Sequence, residues 1–253
     1  MKKIASGQVA FWEGGSLWVF DVPATAETPA RNDMHAHHAF QLTFSLGGRF
    51  ELFLKDTTLR DPAALVAPDT PHAFGACGLI ALLFVEPESR AGRSLAKLTR
   101  GLPCATMTAD QTRDAPALIK AAFEHSENRK NALRETGMLI CNRIAGHVHT
   151  TEPDRRVRAM IKWANDNLDG GIRKAADGVK LSPSRASHLF VEETGLPFRT
   201  YVQWLRLIRA VDAHAGWLSL TEAAHAAGFA DSAHLSRTFK RMFGMPAASL
   251  EMS

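Results

Sequence analysis

Short runs in which apolar and polar residues alternate occupy the first third of the chain. Between Gly, Pro and Asp residues that favour turns, this pattern predicts β-strands. From Phe40 the alternation continues across Gly47 and Gly48 without a change of parity. A three-residue loop would keep the apolar side chains on one face, so we expect a hairpin or bulge that pairs Leu46 with Phe50. The predicted strands are residues 8–12, 16–21, 39–46, 50–55, 64–66 and 79–85.

The hydrophobic period changes to that of helices after about residue 89. Apolar residues at helical spacing predict one helix over residues 89–100 and an antiparallel pair over 110–126 and 131–148. Such a pair can form a dimer surface, or it can simply cover the β-rich region. Residues 150–154, which include Pro153, are typical of a linker.

The last hundred residues repeat one helical plan with an offset of 48 or 49 positions. Each copy contains a short helix pattern, a tight turn and a second helix with polar and basic residues on its open face. This is the pattern of a helix-turn-helix, whose second helix enters the DNA major groove. The recurring residues are Ala175, Ala176, Leu181, Ser182, Phe190 and Gly195 in the first copy, and Ala223, Ala224, Phe229, Ala230, Phe239 and Gly244 in the second.

Capping and turn residues mark the helix ends in both copies. In the first copy, Ser182 can cap the second helix, and Pro183 suits its first position. In the second copy, Ser219 and Glu222 have the spacing of a capping box. Lys180 stands at the turn position that a glycine holds in the second copy. Because positive φ at a non-glycine residue costs about 1 kcal/mol, we expect slight strain there.

One continuous helix, Phe198–Ala215, is predicted between the two copies, with Tyr201, Trp204 and Val211 on a single apolar face. At about 1.5 Å per residue it spans about 27 Å. Successive major-groove faces recur about every 34 Å along one side of B-DNA. A rigid helix of this length can therefore hold the two copies one helical turn apart, which makes a monomeric reader feasible.

Charge is distributed unevenly along the 253 residues, whose net charge is +4. Residues 155–253 hold 14 Lys and Arg against 9 Asp and Glu, whereas residues 1–154 hold 16 against 17. The basic excess lies with the duplicated helices, as phosphate binding requires. Neither a run of membrane-spanning length nor a secretory signal is evident. Cys77, Cys104 and Cys141 are scattered, which favours reduced thiols in a cytoplasmic protein.

The duplicated region resembles the signature of AraC-type bacterial transcription regulators. The order, the spacing and the turn residues agree with that signature, and two sites depart from it. Ala186 stands where a larger apolar residue is usual. Ala247, which follows Pro246, stands where the family usually has its proline. The resemblance implies control of transcription through asymmetric promoter sites. The residues that carry it are Leu181, Ser182, Ser184, Phe190, Glu193, Thr194, Gly195, Tyr201, Arg206, Leu207 and Ala210, then Gly228, Phe229, Asp231, Ser232, Leu235, Arg237, Phe239, Lys240 and Gly244.

The open face of each second helix supplies the candidate DNA contacts. Arg237 can bind a guanine through two hydrogen bonds, worth about 1–3 kcal/mol of discrimination. It can equally bind phosphate, the commoner contact; Lys240 and Arg241 are expected to bind phosphate. The candidates are Ser184, Arg185, Ser187 and His188 in the first copy, and Ser232, Ala233, Ser236, Arg237, Lys240 and Arg241 in the second. For all of these except Arg185, Lys240 and Arg241, the family resemblance implies that they face DNA.

The β-rich region resembles the cupin sensor domains of the same family. On a strand, His35, His37 and Gln41 share a face and could converge with His72, whereas His38 would point away. Metal-binding cupins use His-x-His, a Glu and a downstream His, and imidazole suits zinc, copper, iron or nickel. Here Gln41 replaces the carboxylate by a weaker amide ligand. The four residues predict a divalent transition-metal site or a pocket for a small organic effector, unless the histidines simply pack.

These patterns predict an α+β protein with a cupin-like sensor barrel (residues 1–100), a helical pair and linker with a potential dimer surface (101–153) and an all-α double helix-turn-helix domain (154–253). We predict a transcription regulator, not an enzyme. It would bind double-stranded promoter DNA, respond to a small-molecule or metal effector and, as an activator, contact RNA polymerase; it could form a homodimer. The alternative is a metal-dependent cupin enzyme with a DNA-binding tether. A general nucleoid protein binds DNA with little sequence preference, so it would not need two helices that read bases.

Overall fold

The structure is a computed structural model that describes residues 4–23, 30–60, 62–108, 112, 114–146 and 150–252. The chain forms two compact units. One lies within Met1–His149 together with Ser236–Ser253, and the other lies within Thr150–Leu235. Strands dominate the first unit and helices form the second, so the protein is of the predicted α+β class.

The first unit is built on a ten-stranded β structure. Its main path of hydrogen-bonded neighbours runs β10-β1-β2-β8-β4-β7-β9. The pairs along this path are antiparallel except for β1 and β10, which run parallel. The strands are β1 (Ala5–Trp12), β2 (Gly15–Val22), β3 (Ala30–Arg31), β4 (Phe40–Ser45), β5 (Arg49–Phe53), β6 (Thr58–Arg60), β7 (Ala63–Val66), β8 (Ala73–Val85), β9 (Cys104–Thr106) and β10 (Leu250–Met252).

The predicted hairpin between residues 39–46 and 50–55 is wrong, because both strands pair with β8 instead. β4 lies between β7 and β8, and β5 lies between β6 and β8. The expected pairing of Leu46 with Phe50 is therefore absent from the described strands.

A bend between β4 and β5 explains this difference. The N–H groups of Leu46 and Gly48 both donate to the carbonyl of Leu79, at 3.0 Å each. Gly47 and Gly78 have φ of 115° and 72°, which favour glycine. The chain thereby passes from one half of the long strand β8 to the other. The apolar alternation is still satisfied, because the two strands contribute to two separate buried clusters.

In the described part of the first unit, three helices cover one side of the β structure: α1 (Arg90–Thr99), α2 (Ala115–His125) and α3 (Arg129–Ala145). Leu133 and Ile140 of α3 are buried in the same cluster as Leu17 of β2. Gly137 lets α3 approach the ring of Trp12, because a Cβ there would collide with the indole. The predicted covering role of the pair is thus present. Residues 110, 111, 113, 147 and 148 of the predicted ranges 110–126 and 131–148 lie outside the described residues.

The second unit contains helices only, and its long central helix matches the prediction. Tyr201, Trp204 and Val211 are buried on one face of that helix. Among the described residues, no helix is long and apolar enough to cross a membrane. The helices are α4 (Arg155–Asp166), α5 (Ile172–Gly178), α6 (Pro183–Thr194), α7 (Phe198–Ala215), α8 (Leu220–Ala226) and the first turn of α9 (Ser232–Phe243).

The remainder of α9 and the segment after it belong to the first unit. A short 3-10 helix, Ala247–Ser249, follows α9 and leads into β10. Leu250 of β10 then lies opposite Ala5 of β1. Neither β10 nor β3, β6 and β9 is among the predicted strands, since each has only two or three residues and shows no alternation.

Candidate functional site

The first helix-turn-helix consists of α5, a turn and α6. Ser182 caps α6 by accepting a hydrogen bond from the N–H of Arg185 at 3.3 Å, and Pro183 occupies the first turn, as predicted. Lys180 in the turn has φ of 56°, which confirms the expected left-handed conformation. The N–H of Leu181 donates to the carbonyl of Ala176 at 3.1 Å and closes the corner.

The packing of α6 leaves its predicted reading residues on the outside. Ala186, Leu189 and Phe190 are buried, and they fix the helix on the core. On the other face, Ser184, Arg185 and His188 are exposed and Ser187 is half-buried. The Ser187 hydroxyl donates to the Pro183 carbonyl at 2.9 Å.

The second helix-turn-helix consists of α8, a glycine corner and α9. Ser219 and Glu222 form the predicted capping box at the start of α8. Gly228 has φ of 78°, and the N–H of the next residue, Phe229, donates to the Ala224 carbonyl at 2.9 Å. At the start of α9, the Asp231 carboxylate accepts from the N–H of His234 at 2.6 Å. Asp231, a matched family residue, thus acts as a cap, which the sequence reasoning missed.

The six predicted contacts of α9 lie on its more exposed faces. Its apolar stripe of Leu235, Phe239 and Phe243 is buried, as predicted. Lys240 is exposed and pairs with Asp33, with 3.1 Å between Nζ and Oδ2. Ala233, Arg237, Lys240 and Arg241 are exposed, and Ser232 and Ser236 are half-buried.

A groove of about 540 Å³ beside α6 contains polar side chains that the sequence reasoning missed. Arg199 and Gln203, one turn apart on α7, line it together with Ser187 and His234. Arg206 lines it as well, and its guanidinium donates to the carbonyl of Leu168 at 2.8 and 3.0 Å. The spacing of Arg199 and Gln203, on a face away from Tyr201, was the available signal for this surface.

The histidine cluster lies in the first unit and brings three predicted residues together. His35, His37 and His72 are buried, and one ring nitrogen of each lies within 4.8 Å of the others. The centroids of the His35 and His72 rings are 4.3 Å apart. A backbone bridge holds these two residues, because each N–H donates to the other's carbonyl at 2.9 Å.

Backbone carbonyls orient two of the three rings. His35 Nδ1 lies 2.9 Å from the carbonyl of Asp33, and His72 Nδ1 lies 2.8 Å from that of Thr70. A carbonyl only accepts, so each Nδ1 carries the proton and each Nε2 keeps its lone pair. His72 Nε2 is buried and has no hydrogen-bond partner among the described residues.

Gln41, the predicted fourth member, closes the cluster. Its Oε1 lies 3.1 Å from His37 Nε2. Its amide nitrogen donates to Thr43 Oγ1 at 3.1 Å, which assigns the amide oxygen to the side of the histidine. The structure therefore brings together all four residues that the sequence singled out.

Burial keeps the three imidazoles neutral. It lowers the pKa of His35 to about 4, with a smaller contribution from the neighbouring His72. Burial, followed by the charges of His72 and His35, holds the pKa of His37 well below its usual value. Burial also lowers the pKa of His72, although the bond to Thr70 opposes the change. Neutral imidazole is the form that ligates metal ions.

His38 points away from the cluster, as predicted, and forms a separate buried contact. Its Nε2 lies 2.6 Å from the carboxylate of Glu88, and its Nδ1 lies 3.3 Å from that of Asp69. Burial lowers the pKa of His38, but hydrogen bonds to Asp69 and Glu88 outweigh it and raise the pKa to about 9. The imidazole is therefore charged at neutral pH. Nothing in the local sequence identified Glu88 as its partner.

A cavity of about 80 Å³ adjoins the cluster, with His35 and Gln41 on its wall. The rest of the wall is largely apolar and includes Trp18 and Phe84. The end of α9 also lines it, because the Phe243 ring lies 5.0 Å from the Trp18 ring, between centroids.

Comparison with known proteins identifies a helix-turn-helix domain in the carboxy-terminal part of the chain. A family model described as a helix-turn-helix domain matches residues 175–251. The HTH-type transcriptional activator RhaS of Enterobacter sp. strain 638 is 30% identical over 144 residues, which cover 54% of this chain and 51% of RhaS. Residues 175–251 thus match a helix-turn-helix domain, and the aligned part of the chain is similar to a transcriptional activator. YpdC of Escherichia coli K12, an uncharacterized HTH-type transcriptional regulator, is 30% identical over 90 residues, covering 34% of this chain and 32% of YpdC. The chain spans about half or less of these curated relatives.

The fold is also similar to solved structures of ToxT. ToxT from Vibrio cholerae O395 superposes with a TM-score of 0.56 at 10% identity, over 96% of this chain and 95% of ToxT. ToxT from strain SCE256, solved with a bound unsaturated fatty acid, gives 0.54 at 11% identity, over 93% and 94%. At this identity the likeness concerns the fold alone.

Proposed function

We propose that this protein is a sequence-specific DNA-binding transcription regulator whose two AraC-type helix-turn-helix motifs read adjacent major grooves. The observation that supports this most strongly is the pair of helices α6 and α9, each with a buried apolar stripe and an exposed polar face. The intervening helix α7 has 18 residues and therefore a length of about 27 Å. This length suits two motifs one helical turn apart on DNA.

The reading faces divide into base-contacting and phosphate-contacting residues. Arg237 is an exposed guanidinium at mid-helix, the type of group that binds guanine. Arg185, Lys240 and Arg241 suit phosphate. Arg199 and Gln203 extend the polar surface beside α6 along the groove on α7. Small side chains, Ser184 and Ser187 on α6 and Ala233 and Ser236 on α9, permit close approach of the helices to base edges.

A ligand of the first unit would control this activity. Its histidine-lined cavity is a concave site with a few polar groups, the usual character of a ligand pocket. ToxT, a fold neighbour, has been solved with a fatty acid bound. By analogy, we propose that a ligand in the β domain changes promoter occupancy. RhaS, named as a transcriptional activator, supports activation and hence a contact with RNA polymerase.

A second copy of the chain is a further proposed partner. A groove of about 640 Å³ between α1, β9 and α3 is lined by Leu95, Met107 and Ile144. Leu98 and Leu102 at its edge are 51% and 56% exposed. Apolar side chains grouped in this way favour an interface between subunits.

We propose a binding role rather than catalysis for the histidine cluster. Redox cupin chemistry uses a carboxylate ligand and an open coordination position. The oxygen donor beside these histidines is the amide of Gln41. This donor supports a regulator over the alternative, a metal-dependent enzyme tethered to DNA.

A selection on random duplex DNA tests the proposed function. The full chain should enrich two short boxes separated by about one helical turn, because the two motifs read successive grooves. Arg237→Ala should change the preferred base in one box. The matched control Lys55→Ala, which removes an exposed cation from the β domain, should enrich the same boxes as the parent. Recovery of unrelated sequences would refute sequence-specific reading.

A further inference from the structure

We propose that His35, His37, His72 and Gln41 bind one divalent first-row transition-metal ion, and that this ion acts on the carboxy-terminal end of α9. The metal site is argued from the cluster itself. Its regulatory consequence rests on the proposed function, because α9 is one of the two reading helices.

The first observation is an unused donor atom. His72 is fully buried, and its Nε2 has no hydrogen-bond partner among the described residues. A buried polar atom without a partner is destabilising, because it has lost its hydrogen bonds to water. A metal ion within coordination distance would remove this cost, because the free lone pair would become a ligand.

The second observation is the way the rings are held. The Nδ1 protons of His35 and His72 are used by the carbonyls of Asp33 and Thr70. This is the usual arrangement of metal-binding histidines, in which a backbone carbonyl fixes the ring and leaves the other nitrogen for the ion. Both Nε2 atoms therefore have the correct protonation for ligation before any ion arrives.

The third observation is the spacing of the donors. Two ligand atoms about 2.1 Å from one ion and at right angles to each other are about 3 Å apart. His37 Nε2 and Gln41 Oε1 are 3.1 Å apart. The amide oxygen only accepts, so without an ion His37 Nε2 carries the proton of this hydrogen bond. An ion bound by both atoms would take the place of that proton, which would move to Nδ1 of the neutral ring. The three imidazole donors lie within 4.8 Å of one another, against about 3.4 Å in a tetrahedral site. Small rotations of the rings close this difference.

Cavity size favours an ion over a large organic ligand. The adjoining cavity has about 80 Å³. Pockets for drug-sized ligands have about 300–1,000 Å³, and a water molecule takes about 30 Å³. There is room for an ion with its water, but not for a molecule as long as a fatty acid.

Direct contacts connect the cluster to the end of α9. The carbonyl of Asp33 accepts from His35 Nδ1, and the N–H of Asp33 donates to the carbonyl of Gly244 at 2.9 Å. The amide of Asn32 donates to the carbonyl of Phe243 at 2.8 Å. A Cβ at Gly244 would lie 2.7 Å from His35 Nδ1. Rotation of His35 toward an ion must therefore change the contacts that hold the last turn of α9.

Metal binding is tested with full-length protein without a histidine tag, stripped with chelator and titrated with Zn²⁺ or Co²⁺. We expect one ion per chain and, with Co²⁺, the visible absorption of a four-coordinate site. His72→Ala should weaken binding at least 100-fold, whereas His125→Ala, at an exposed histidine, should not change it. Gln41→Glu should tighten binding about 10-fold, because a carboxylate is the stronger ligand. No stoichiometric ion in either the parent or Gln41→Glu would overturn the site.

The connection to α9 is tested with the duplex recovered in the selection described above. Saturating Zn²⁺ should change the DNA dissociation constant at least fivefold, in the range of ordinary allosteric coupling. Gly244→Ala should reduce that ratio, and Gly195→Ala, at the end of the other reading helix, should preserve it. Equal DNA affinity with and without bound zinc would overturn the connection while leaving the regulator intact. Failure of the selection itself would instead refute the proposed function, and the zinc titration would still stand.

Discussion

The backbone N–H of Asp33 donates to the carbonyl of Gly244, with 2.9 Å between nitrogen and oxygen. One residue precedes the histidine cluster by two positions, and the other follows the last residue of α9. Gly244 has φ of 70°, and a Cβ there would collide with the Asp33 carbonyl. A glycine is thus required at this point both by its conformation and by a neighbouring backbone.

Replacement of Gly244 by alanine should destabilise the protein more than replacement of Gly195. Both glycines end a reading helix with positive φ, 70° and 77°, so both variants should lose about 1–2 kcal/mol from strain. Only Gly244→Ala adds the collision with Asp33, since nothing lies within 4 Å of a Cβ at Gly195. We expect an additional loss of about 1–3 kcal/mol in urea unfolding. Equal losses of stability would show that the Asp33 carbonyl moves away from the added methyl group without cost.

Lys180→Gly should stabilise the protein. Lys180 has φ of 56°, and glycine relieves this strain. After the entropy that glycine adds to the unfolded chain, we expect a gain of up to about 1 kcal/mol in the free energy of unfolding. The control Lys174→Gly lies inside α5 and should lose about 1 kcal/mol. Thermal unfolding of both variants measures these changes in stability. A loss of stability in both variants would contradict strain at Lys180.

Arg237→Ala and Arg241→Ala should weaken DNA binding in different ways. Loss of a guanine contact at Arg237 should cost about 1–3 kcal/mol and relax the preference at one base position. Loss of a phosphate contact at Arg241 should weaken all sequences alike and reduce the slope of log affinity against log salt by about 1. Titrations at several salt concentrations separate the two. A uniform loss for Arg237→Ala would assign that residue to phosphate.

Glu88→Gln should destabilise the protein at neutral pH, because it removes the charge that faces buried His38. The pKa of His38 is raised to about 9 in the folded state. Its contribution is therefore complete below about pH 6.5 and is lost as the pH rises through 9. We expect a loss of about 1–3 kcal/mol in metal-free protein near pH 6 and a smaller one at pH 10. The exposed Glu127→Gln is the control, and a pH-independent loss would contradict the ion pair.

Cys141 should resist thiol reagents in the folded protein. It lies in α3, and burial raises the pKa of its thiol to about 12. The reactive thiolate is therefore scarce at pH 8. Cys77 and Cys104 are less buried and should react first in a disulfide-exchange assay. We expect Cys141 to react in a separate slow phase whose rate follows unfolding of the protein. Cys141→Ser should remove only that phase. Rapid labelling of Cys141 would contradict its burial.

The sequence was sufficient for features governed by local physics. The capping box at Ser219, the left-handed turn at Lys180 and the exact bounds of Phe198–Ala215 follow from neighbouring residues, and the structure has them all. Family resemblance predicted α6 and α9 as the reading helices in the same way. The four residues of the histidine cluster were found because strand parity and one downstream motif sufficed.

Features that depend on distant residues could not be predicted. The alternation around Gly47 is equally compatible with a hairpin and with two strands on β8, and only the long partner strand decides. Glu88 is 50 positions from His38 in sequence. Asp33 pairs with Lys240, although an exposed lysine on a reading helix suggested phosphate alone. The hydrophobic pattern and the spacing of motifs do not show which distant residues come into contact.

The parallel pairing of β1 with β10 joins one of the first strands of the chain to one of the last. During synthesis, the outer edge of β1 must therefore stay without this neighbour until residues 250–252 have been made. An uncovered strand edge can pair with other chains. A variant whose β10 cannot pair would leave that edge of β1 open, so it should associate with other copies of the chain more readily than the parent.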